Sequence, residues 1–202
     1  VAMVYPIQTL YAGHYLDGAK GFYNGGVVVS ERMEKGITSS ALKWIAAISM
    51  LIDHFGIAIY WQLEEHTYST YEIFRYVGRI AFPIYCFLIV EGFFLTKNIW
   101  SYIGRCLVFA VLSEIPFDMA IYGEIWHPYS QNVYFTLVIG LCTLVVLDKV
   151  RGYHAFCVIK QFLVIGMGVA VAQILEVDYH GLGVLFIVMF YYILFEFIVL
   201  NL

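Results

Sequence analysis

The segment 43-KWIAAISMLIDHFG-56 is almost wholly apolar, yet it carries a lysine at one end and an Asp-His pair in its interior. Lys43 and His54 stand eleven residues apart, and that number of steps comes within about 20° of a whole number of helical turns. In a helix both side chains therefore project from one face, about 16 Å apart along the axis. This layout suits an extended donor such as a coenzyme A thioester, with its phosphates near the lysine and its thioester near an imidazole acting as general base.

Each of these residues also has a structural interpretation. A lysine near the start of a membrane span commonly anchors the span at the interface, and a buried histidine commonly packs between helices. Asp53 cannot face His54, because successive helical residues diverge by about 100°. We therefore expect Asp53 to find a partner on another helix, either Arg79 or a hydroxyl group.

Three more carboxylates lie inside apolar segments, where ionisable groups usually face the bundle interior or a wet cavity because charge is costly in hydrocarbon. Glu91 is one of them. Glu114 and Asp118 stand four residues apart in 113-SEIPFD-118 and share one helix face, with Pro116 between them predicted to kink the helix. The alternative for this pair is a structural kink whose acids cap or pair locally.

Polar residues also flank the apolar segments at positions where a substrate would enter or leave. Arg79 is expected at an interface, as a site residue or as a snorkelling anchor. Asp178 and His180 in 178-DYHGLGV-184 precede the last apolar run, either near the exit of an acceptor path or as an ordinary loop and helix cap.

Composition shows what must position these residues. The chain has 202 residues, of which 62% are hydrophobic and 13% charged, and its mean hydropathy is +0.80, outside the range of soluble domains. We therefore predict an all-α fold, a polytopic transmembrane helical bundle of about six spans. The predicted spans are about 42–61, 77–95, 101–122, 132–148, 157–175 and 181–200.

Lysine and arginine are concentrated in alternate polar regions of the chain, as the positive-inside rule describes. Only Arg75 and Arg79 fall in the other regions. We therefore expect a multi-pass protein of the bacterial inner (cytoplasmic) membrane, with its N-terminus in the cytoplasm and the loop 62–76 outside. The basic residues on the predicted cytoplasmic side are Lys20, Arg32, Lys35, Lys43, Lys97, Arg105, Lys149, Arg151 and Lys160.

Metal and nucleic-acid sites are not expected. The cysteines lack paired spacing and are interpreted as small hydrophobes, the loop histidines lack ligand spacing, and the net charge of −4 comes with no clustered basic face. The cysteines are Cys86, Cys106, Cys142 and Cys157.

Residues 1–32 lack long apolar runs and are expected to be an extension outside the membrane fold. Met33 then begins a short basic segment followed by the capping residues Thr38, Ser39 and Ser40. The predicted membrane domain is therefore 33–202. Its last apolar run reaches the end of the chain without a polar tail, which leaves a C-terminal truncation open.

Five segments, taken in order, resemble the TraX family of bacterial membrane proteins, known for N-terminal acetylation of conjugative pilin. The resemblance covers about 41–193, and the family is similar to a wider group of membrane acyltransferases in which a basic residue, ten positions and a histidine recur on the first helix. The segments are 42-LKWIAAISMLIDHFG-56, 79-RIAFPIYCFLIVEGF-93, 113-SEIPFD-118, 132-NVYFTL-137 and 178-DYHGLGV-184. Two departures are His180, where a small residue is expected, and the absence of a C-terminal helix with a Tyr-Pro and His signature.

The resemblance implies His54 as catalytic base or acyl carrier and Lys43 as a donor-phosphate contact. It also implies site roles for further residues, and we expect Arg105 to bind the donor together with Lys43. The remaining catalytic candidates are Asp53, Glu91 and Glu114, and the substrate-binding candidates are Arg79, Asp118, Asp178 and His180. We further expect Lys43, His54, Glu91 and Glu114 to line one cavity open to the cytoplasm.

The function expected from these residues is membrane-bound acetyl transfer from cytoplasmic acetyl-CoA, with no metal, to an amine or hydroxyl acceptor. The partners would be membrane lipid and an acceptor protein, such as a pilin N-terminus, or an envelope glycan. Two alternatives stay open: a small proton-coupled transporter with a carboxylate relay, and a non-catalytic assembly factor of a pilus or conjugation complex.

Overall fold

The computed structural model of this chain describes residues 37–200, and these residues are almost entirely helical. Apart from one isolated bridge between Gln131 and Val177, the described part of the chain forms no strand. The all-α prediction is therefore confirmed, whereas the predicted extension 1–32 lies outside the described residues. The helices are α1 (Ser39–Ala58), α2 (Tyr68–Arg79), α3 (Ala81–Leu95), α4 (Ile99–Ile121), α5 (Val133–Lys149), α6 (Ala155–Ile174) and α7 (His180–Leu200), with a short 3₁₀-helix at Tyr60–Gln62.

The six predicted spans each correspond to a helix of this bundle. Within residues 37–200, four segments are long and apolar enough to cross a membrane by length and composition alone. Of the remaining two helices, α4 carries three charged residues and α5 has 17 residues. The four segments are Ser39–Gln62, Tyr68–Leu95, Ala155–Ile174 and His180–Val199.

The prediction that residues 62–76 form a loop is wrong, because α2 begins at Tyr68 and leads almost directly into α3. The segment is too polar to be recognised as part of a span by its hydropathy. Its helix is stabilised by packing against α1, where Phe74 covers Gly56 and makes an edge-on contact with Phe55. Tertiary packing of one amphipathic face thus determines the structure of this segment.

Side-chain caps fix the starts of three helices. Thr38 accepts a hydrogen bond from the Ala41 amide at the start of α1, as its position in the sequence predicts. Asn98 caps α4 and Asn132 caps α5 in the same way. The cap at Asn132 matters most here because this residue also lines the cavity described below.

Helices α3, α5 and α7 form the centre of the bundle, and α1, α4 and α6 expose broad apolar faces. Cys86, Leu141 and Ile187, one from each central helix, are fully buried. Exposed apolar faces are expected of helices that contact lipid. Helices α2 and α3 follow each other within one membrane-length segment, Tyr68–Leu95. When this pair is counted as one segment, successive segments run in alternate directions, as the contact of Ser39 at the start of α1 with Glu91 near the end of α3 shows. As a result α1, α4 and α6 begin at one end of the bundle, whereas α3, α5 and α7 begin at the other.

Candidate functional site

A cavity of about 340 Å³ lies at the end of the bundle where α1 and α4 finish and α3 and α5 begin. Its volume is in the range of small-molecule sites, and its surface is mostly apolar with a few polar groups, which is also typical of such sites. We call this end of the bundle the cavity end. The lining residues are Met50, Asp53, His54, Gly78, Ala81, Phe82, Tyr85, Ser113, Pro116, Phe117, Ala120, Asn132, Val133, Tyr134, Asp178 and Tyr179.

Asp53 faces this cavity and is paired with a cation from α2. The Arg75 guanidinium donates a hydrogen bond to Asp53 Oδ2, with an Nη1 to Oδ2 distance of 2.6 Å. The expectation that Arg79 or a hydroxyl would be this partner is therefore wrong. On α2, Arg75 lies one turn before Arg79, on the part of the helix that packs against α1, whereas Arg79 is exposed beside the Tyr76 ring.

Gly78 makes the close approach of α2 to Asp53 possible. A methyl group at this position would overlap the Asp53 side chain. The second carboxylate oxygen, Asp53 Oδ1, is buried and has no hydrogen-bond partner among the described residues. The position of Asp53 is thus fixed by one ion pair and by the absence of a side chain at Gly78.

His54 is half-buried and lines the same cavity. On α1, the face that carries His54 also carries Met50, Ala47 and Lys43, at helical spacing. Met50 belongs to the cavity wall, whereas Lys43 and Ala47 are exposed. This face therefore runs from a lysine at the first turns of α1 to the histidine in the cavity.

The expectation of one cavity shared by Lys43, His54, Glu91 and Glu114 is wrong for three of the four, since only His54 belongs to the lining. Glu91 is buried near the end of α3 and accepts a hydrogen bond of 2.9 Å from the Ser39 hydroxyl at the start of α1. Because α1 and α3 are antiparallel, the end of α3 lies at the opposite end of the bundle from His54.

Glu114 and Asp118 share one face of α4, as predicted, but this face is turned away from the cavity. Glu114 Oε2 accepts hydrogen bonds from the backbone and side-chain amides of Asn132, and Asp118 Oδ2 accepts one of 2.8 Å from the His127 amide. Both carboxylates thus hold the connection between α4 and α5, which includes the Asn132 wall of the cavity. Their other oxygens, Glu114 Oε1 and Asp118 Oδ1, are buried without a hydrogen-bond partner in the part of the chain that the structure describes.

Asp178 lines the cavity from the segment that precedes α7. Its amide donates to the Gln131 carbonyl and its carbonyl accepts from the Thr136 hydroxyl, so the segment is held against the start of α5. Burial raises the pKa of the Asp178 carboxyl, although the Tyr179 amide and the Arg75 charge oppose this rise.

The backbone around Asp178 is strained. Glu176, Tyr179 and His180 have φ values of 51°, 61° and 45°, a left-handed region that is uncommon for residues other than glycine. Tyr179 stacks on Phe82 with ring centroids 3.7 Å apart, and this stacked pair forms one wall of the cavity. The sharp turn thus places both Asp178 and the Tyr179 ring at the cavity.

The remaining candidates lie outside the cavity lining. Arg79 and His180 are exposed at the cavity end, and Arg105 is exposed near the start of α4, at the same end of the bundle as Lys43. Arg105 lies over the Tyr102 ring at 5.8 Å. The structure therefore brings together Asp53, His54 and Asp178 and separates them from the two basic residues expected to bind the donor.

The sequence reasoning missed Arg75 and the aromatic wall. Arg75 lies four residues before Arg79, in a segment interpreted as a loop. Recognition of α2 as a helix would have placed Arg75 one helical turn from Arg79, the residue expected to pair with Asp53. Tyr85 and Tyr134 lie inside the segments 79-RIAFPIYCFLIVEGF-93 and 132-NVYFTL-137, but an aromatic residue in an apolar run carries no signal that distinguishes a cavity wall from a lipid-facing surface.

Residues 37–200 contain no group of three or more histidine, cysteine, aspartate or glutamate side chains that could hold a metal ion.

Comparison of the sequence with known proteins identifies its family. Over 123 residues the chain is 36% identical to the probable fimbrial assembly protein FimC of Dichelobacter nodosus, an alignment that covers 56% of this chain and 49% of that protein. It is 24% identical over 127 residues to an uncharacterised protein of Rickettsia prowazekii (strain Madrid E), covering 61% of this chain and 44% of that protein. The chain thus spans about half the length of the curated relatives that it matches, and no solved structure matches it. The family model described as TraX protein matches residues 38–198, most of the chain, and the chain therefore belongs to the TraX family.

Proposed function

We propose that this protein is an integral membrane acyltransferase that moves an acetyl group from acetyl-CoA to an amine or hydroxyl acceptor. The observation that carries the proposal is His54, which lines a cavity of ligand size next to the Asp53–Arg75 ion pair. A titratable base in a largely apolar cavity with few polar groups is the arrangement expected of a site for acid–base chemistry. Membership of the TraX family supports the same reaction class.

In the proposed reaction His54 accepts the proton of the acceptor as the acceptor attacks the thioester carbonyl. The imidazole then returns this proton to the departing thiolate of coenzyme A. Asp53 is adjacent on α1 and adds negative charge that stabilises the imidazolium form, while Arg75 holds the Asp53 carboxylate in place. Attack by His54 itself, through an acetyl-histidine, is the covalent variant of the same assignment.

Lys43 and Arg105 are proposed to bind the phosphates of the donor at the opposite end of the bundle. The support is the face of α1 that joins Lys43 to His54 over about 16 Å, with the small side chain of Ala47 between Lys43 and the cavity residue Met50. A long, thin pantetheine arm matches such a face. By the positive-inside rule this end faces the cytoplasm of a bacterial inner membrane, where acetyl-CoA is available.

An acceptor related to fimbriae or pili is the favoured substrate. A relative with 36% identity is named a probable fimbrial assembly protein, which favours a pilin-like protein over an envelope glycan. The same name supports a second candidate function, a non-catalytic assembly factor whose polar residues only specify helix packing.

Turnover by the purified protein tests the proposal. Wild type should release coenzyme A from acetyl-CoA and form an acetylated product visible by mass spectrometry, whereas His54→Ala should abolish both without changing the thermal midpoint. The matched control is His154→Ala, an exposed histidine at the other end of the bundle, which should retain wild-type turnover. Full activity of His54→Ala would refute the assignment, and an inactive wild type that still supports fimbrial assembly would favour the assembly factor.

The donor contact is tested separately. Lys43→Ala should raise the KM for acetyl-CoA while leaving kcat within about twofold, because a remote phosphate contact contributes to binding rather than to chemistry. An unchanged donor KM would argue against this role for Lys43.

A further inference from the structure

An acyl transfer site needs hydrogen-bond donors for the thioester oxygen, which becomes negatively charged when the acceptor attacks. Most polar groups in the cavity are already engaged. The Asn132 side-chain amide donates to Glu114 and to the Ala110 carbonyl, and the Ser113 hydroxyl donates to the carbonyls of Phe109 and Ala110. Neither group has a donor left for a substrate oxygen in this arrangement.

Three tyrosines remain, and two of them differ from the third in their surroundings. Tyr85 on α3 and Tyr134 on α5 are half-buried and line the cavity. Within the described residues neither hydroxyl has a hydrogen-bond partner. Tyr179 instead shares the cavity with Asp178 and Asp53, and burial, followed by the negative charges of these two residues, raises the pKa of its phenol to about 12.

The Tyr85 and Tyr134 hydroxyls can supply the hydrogen-bond donors that the thioester oxygen needs. Both side chains line the same cavity as His54, Tyr85 from α3 and Tyr134 from α5. A substrate carbonyl bound beside His54 therefore shares the cavity with two neutral hydroxyls and with the carboxylates of Asp53 and Asp178. A developing negative charge is repelled by a carboxylate and stabilised by neutral donors, which favours the two tyrosines.

We infer that the Tyr85 and Tyr134 hydroxyls form the oxyanion site of this cavity and are catalytic residues. The inference rests on the proposed acyl transfer. As the acceptor nitrogen or oxygen bonds to the carbonyl carbon, the carbonyl electron pair moves to oxygen, and both tyrosines donate hydrogen bonds to it while keeping their protons. The carbon–sulfur bond then breaks, the carbonyl re-forms, and the thiolate takes the proton held by His54.

Replacement of each tyrosine by phenylalanine tests this role, because it removes one hydroxyl and keeps the ring. Turnover is followed as coenzyme A release from acetyl-CoA, which reports transfer to any acceptor including water, with a peptide bearing a free N-terminus and glucose as the amine and hydroxyl probes. Tyr85→Phe and Tyr134→Phe should each lower kcat by about 100-fold. The donor KM and the thermal midpoint should stay at wild-type values, a split that a merely structural role would not produce.

Two controls separate the possible failures. Tyr192→Phe removes a hydroxyl outside the cavity, where it donates to Gln161, and should keep kcat within about threefold. Tyr179→Phe removes a hydroxyl from the cavity wall and should lower kcat much less than Tyr85→Phe or Tyr134→Phe does. A wild-type kcat for both Tyr85→Phe and Tyr134→Phe, in a protein that still depends on His54, would overturn the oxyanion site and leave the proposed function intact. An equal loss in Tyr179→Phe would also overturn the assignment to this pair. If wild type releases no coenzyme A, the proposed function fails and the oxyanion site fails with it.

Discussion

The Asp53 carboxylate is constrained on both of its oxygens. One oxygen pairs with Arg75 and the other is buried against Gly78. The side chains of Arg75 and Asp53 remain 29% and 20% exposed, so the pair lies between a surface ion pair and a fully buried one. Removing one partner should therefore cost more than the roughly 0–1 kcal/mol of a surface pair and less than the 3–5 kcal/mol of a buried pair.

Arg75→Gln should reduce the free energy of unfolding by about 2 kcal/mol, because it leaves Asp53 charged and without its cation. The double variant Asp53→Asn/Arg75→Gln should recover part of this loss, since it carries no unpaired charge. Chemical denaturation in detergent, analysed as a double-mutant cycle, measures the coupling. Strictly additive effects of the two substitutions would contradict a direct ion pair.

Glu114 provides a second test at the level of single residues. The sequence predicts a catalytic role for it, whereas in the structure its carboxylate accepts hydrogen bonds from Asn132. Glu114→Ala should reduce the free energy of unfolding by about 1–3 kcal/mol because it leaves the Asn132 donors unsatisfied. Glu114→Gln keeps an acceptor oxygen and should retain most of the turnover per folded molecule. A complete loss of turnover in a stable Glu114→Gln protein would instead support the predicted catalytic role of Glu114.

At the scale of elements, the pairing of α1 with α2 determines whether the cavity has its charged wall. The two helices approach closely at two glycines, where Phe74 covers Gly56 and the Asp53 side chain covers Gly78. Since α2 carries Arg75, any separation of these helices would also move the guanidinium away from Asp53. The glycines thus couple helix packing to the electrostatics of the cavity.

Gly78→Ala should separate α1 from α2, lower the thermal midpoint and reduce turnover, because the added methyl overlaps Asp53. The matched control is Gly104→Ala on α4, where an added methyl meets no atom within 4 Å. That change should be neutral or stabilising by up to about 1 kcal/mol, since alanine favours a helix over glycine. Thermal unfolding and coenzyme A release, measured side by side, compare the variants, and similar behaviour of both would refute the close-packing argument.

At the scale of the whole molecule, the two ends of the bundle differ in chemistry. The cavity end holds the acids Asp53 and Asp178 with Arg75, whereas the other end exposes basic residues such as Lys43 and Arg105. The positive-inside rule predicts that the basic end faces the cytoplasm and that the cavity end faces outward. The acceptor would then approach His54 from the outer side while the donor approaches from the inner side.

Thiol labelling of intact cells tests this orientation. In a variant whose native cysteines are replaced, Ser130→Cys at the cavity end should react with a membrane-impermeant maleimide. Lys97→Cys at the basic end should react only after the membrane is permeabilised. The reverse pattern would place the cavity on the cytoplasmic side and remove the argument for a donor path along α1.

The sequence alone determined the helical class, the approximate spans, the cap at Thr38 and the shared faces of Lys43 with His54 and of Glu114 with Asp118. These features are local, because apolar length and helical periodicity within one segment fix them. Only the tertiary structure decided which faces meet. It paired Asp53 with Arg75 rather than Arg79, turned Glu114 towards Asn132, and placed Glu91 at the opposite end from His54. The physical reason is that partners on different helices depend on packing and direction, and in a chain so uniformly apolar the hydrophobic pattern does not distinguish a face towards lipid from a face towards a neighbouring helix.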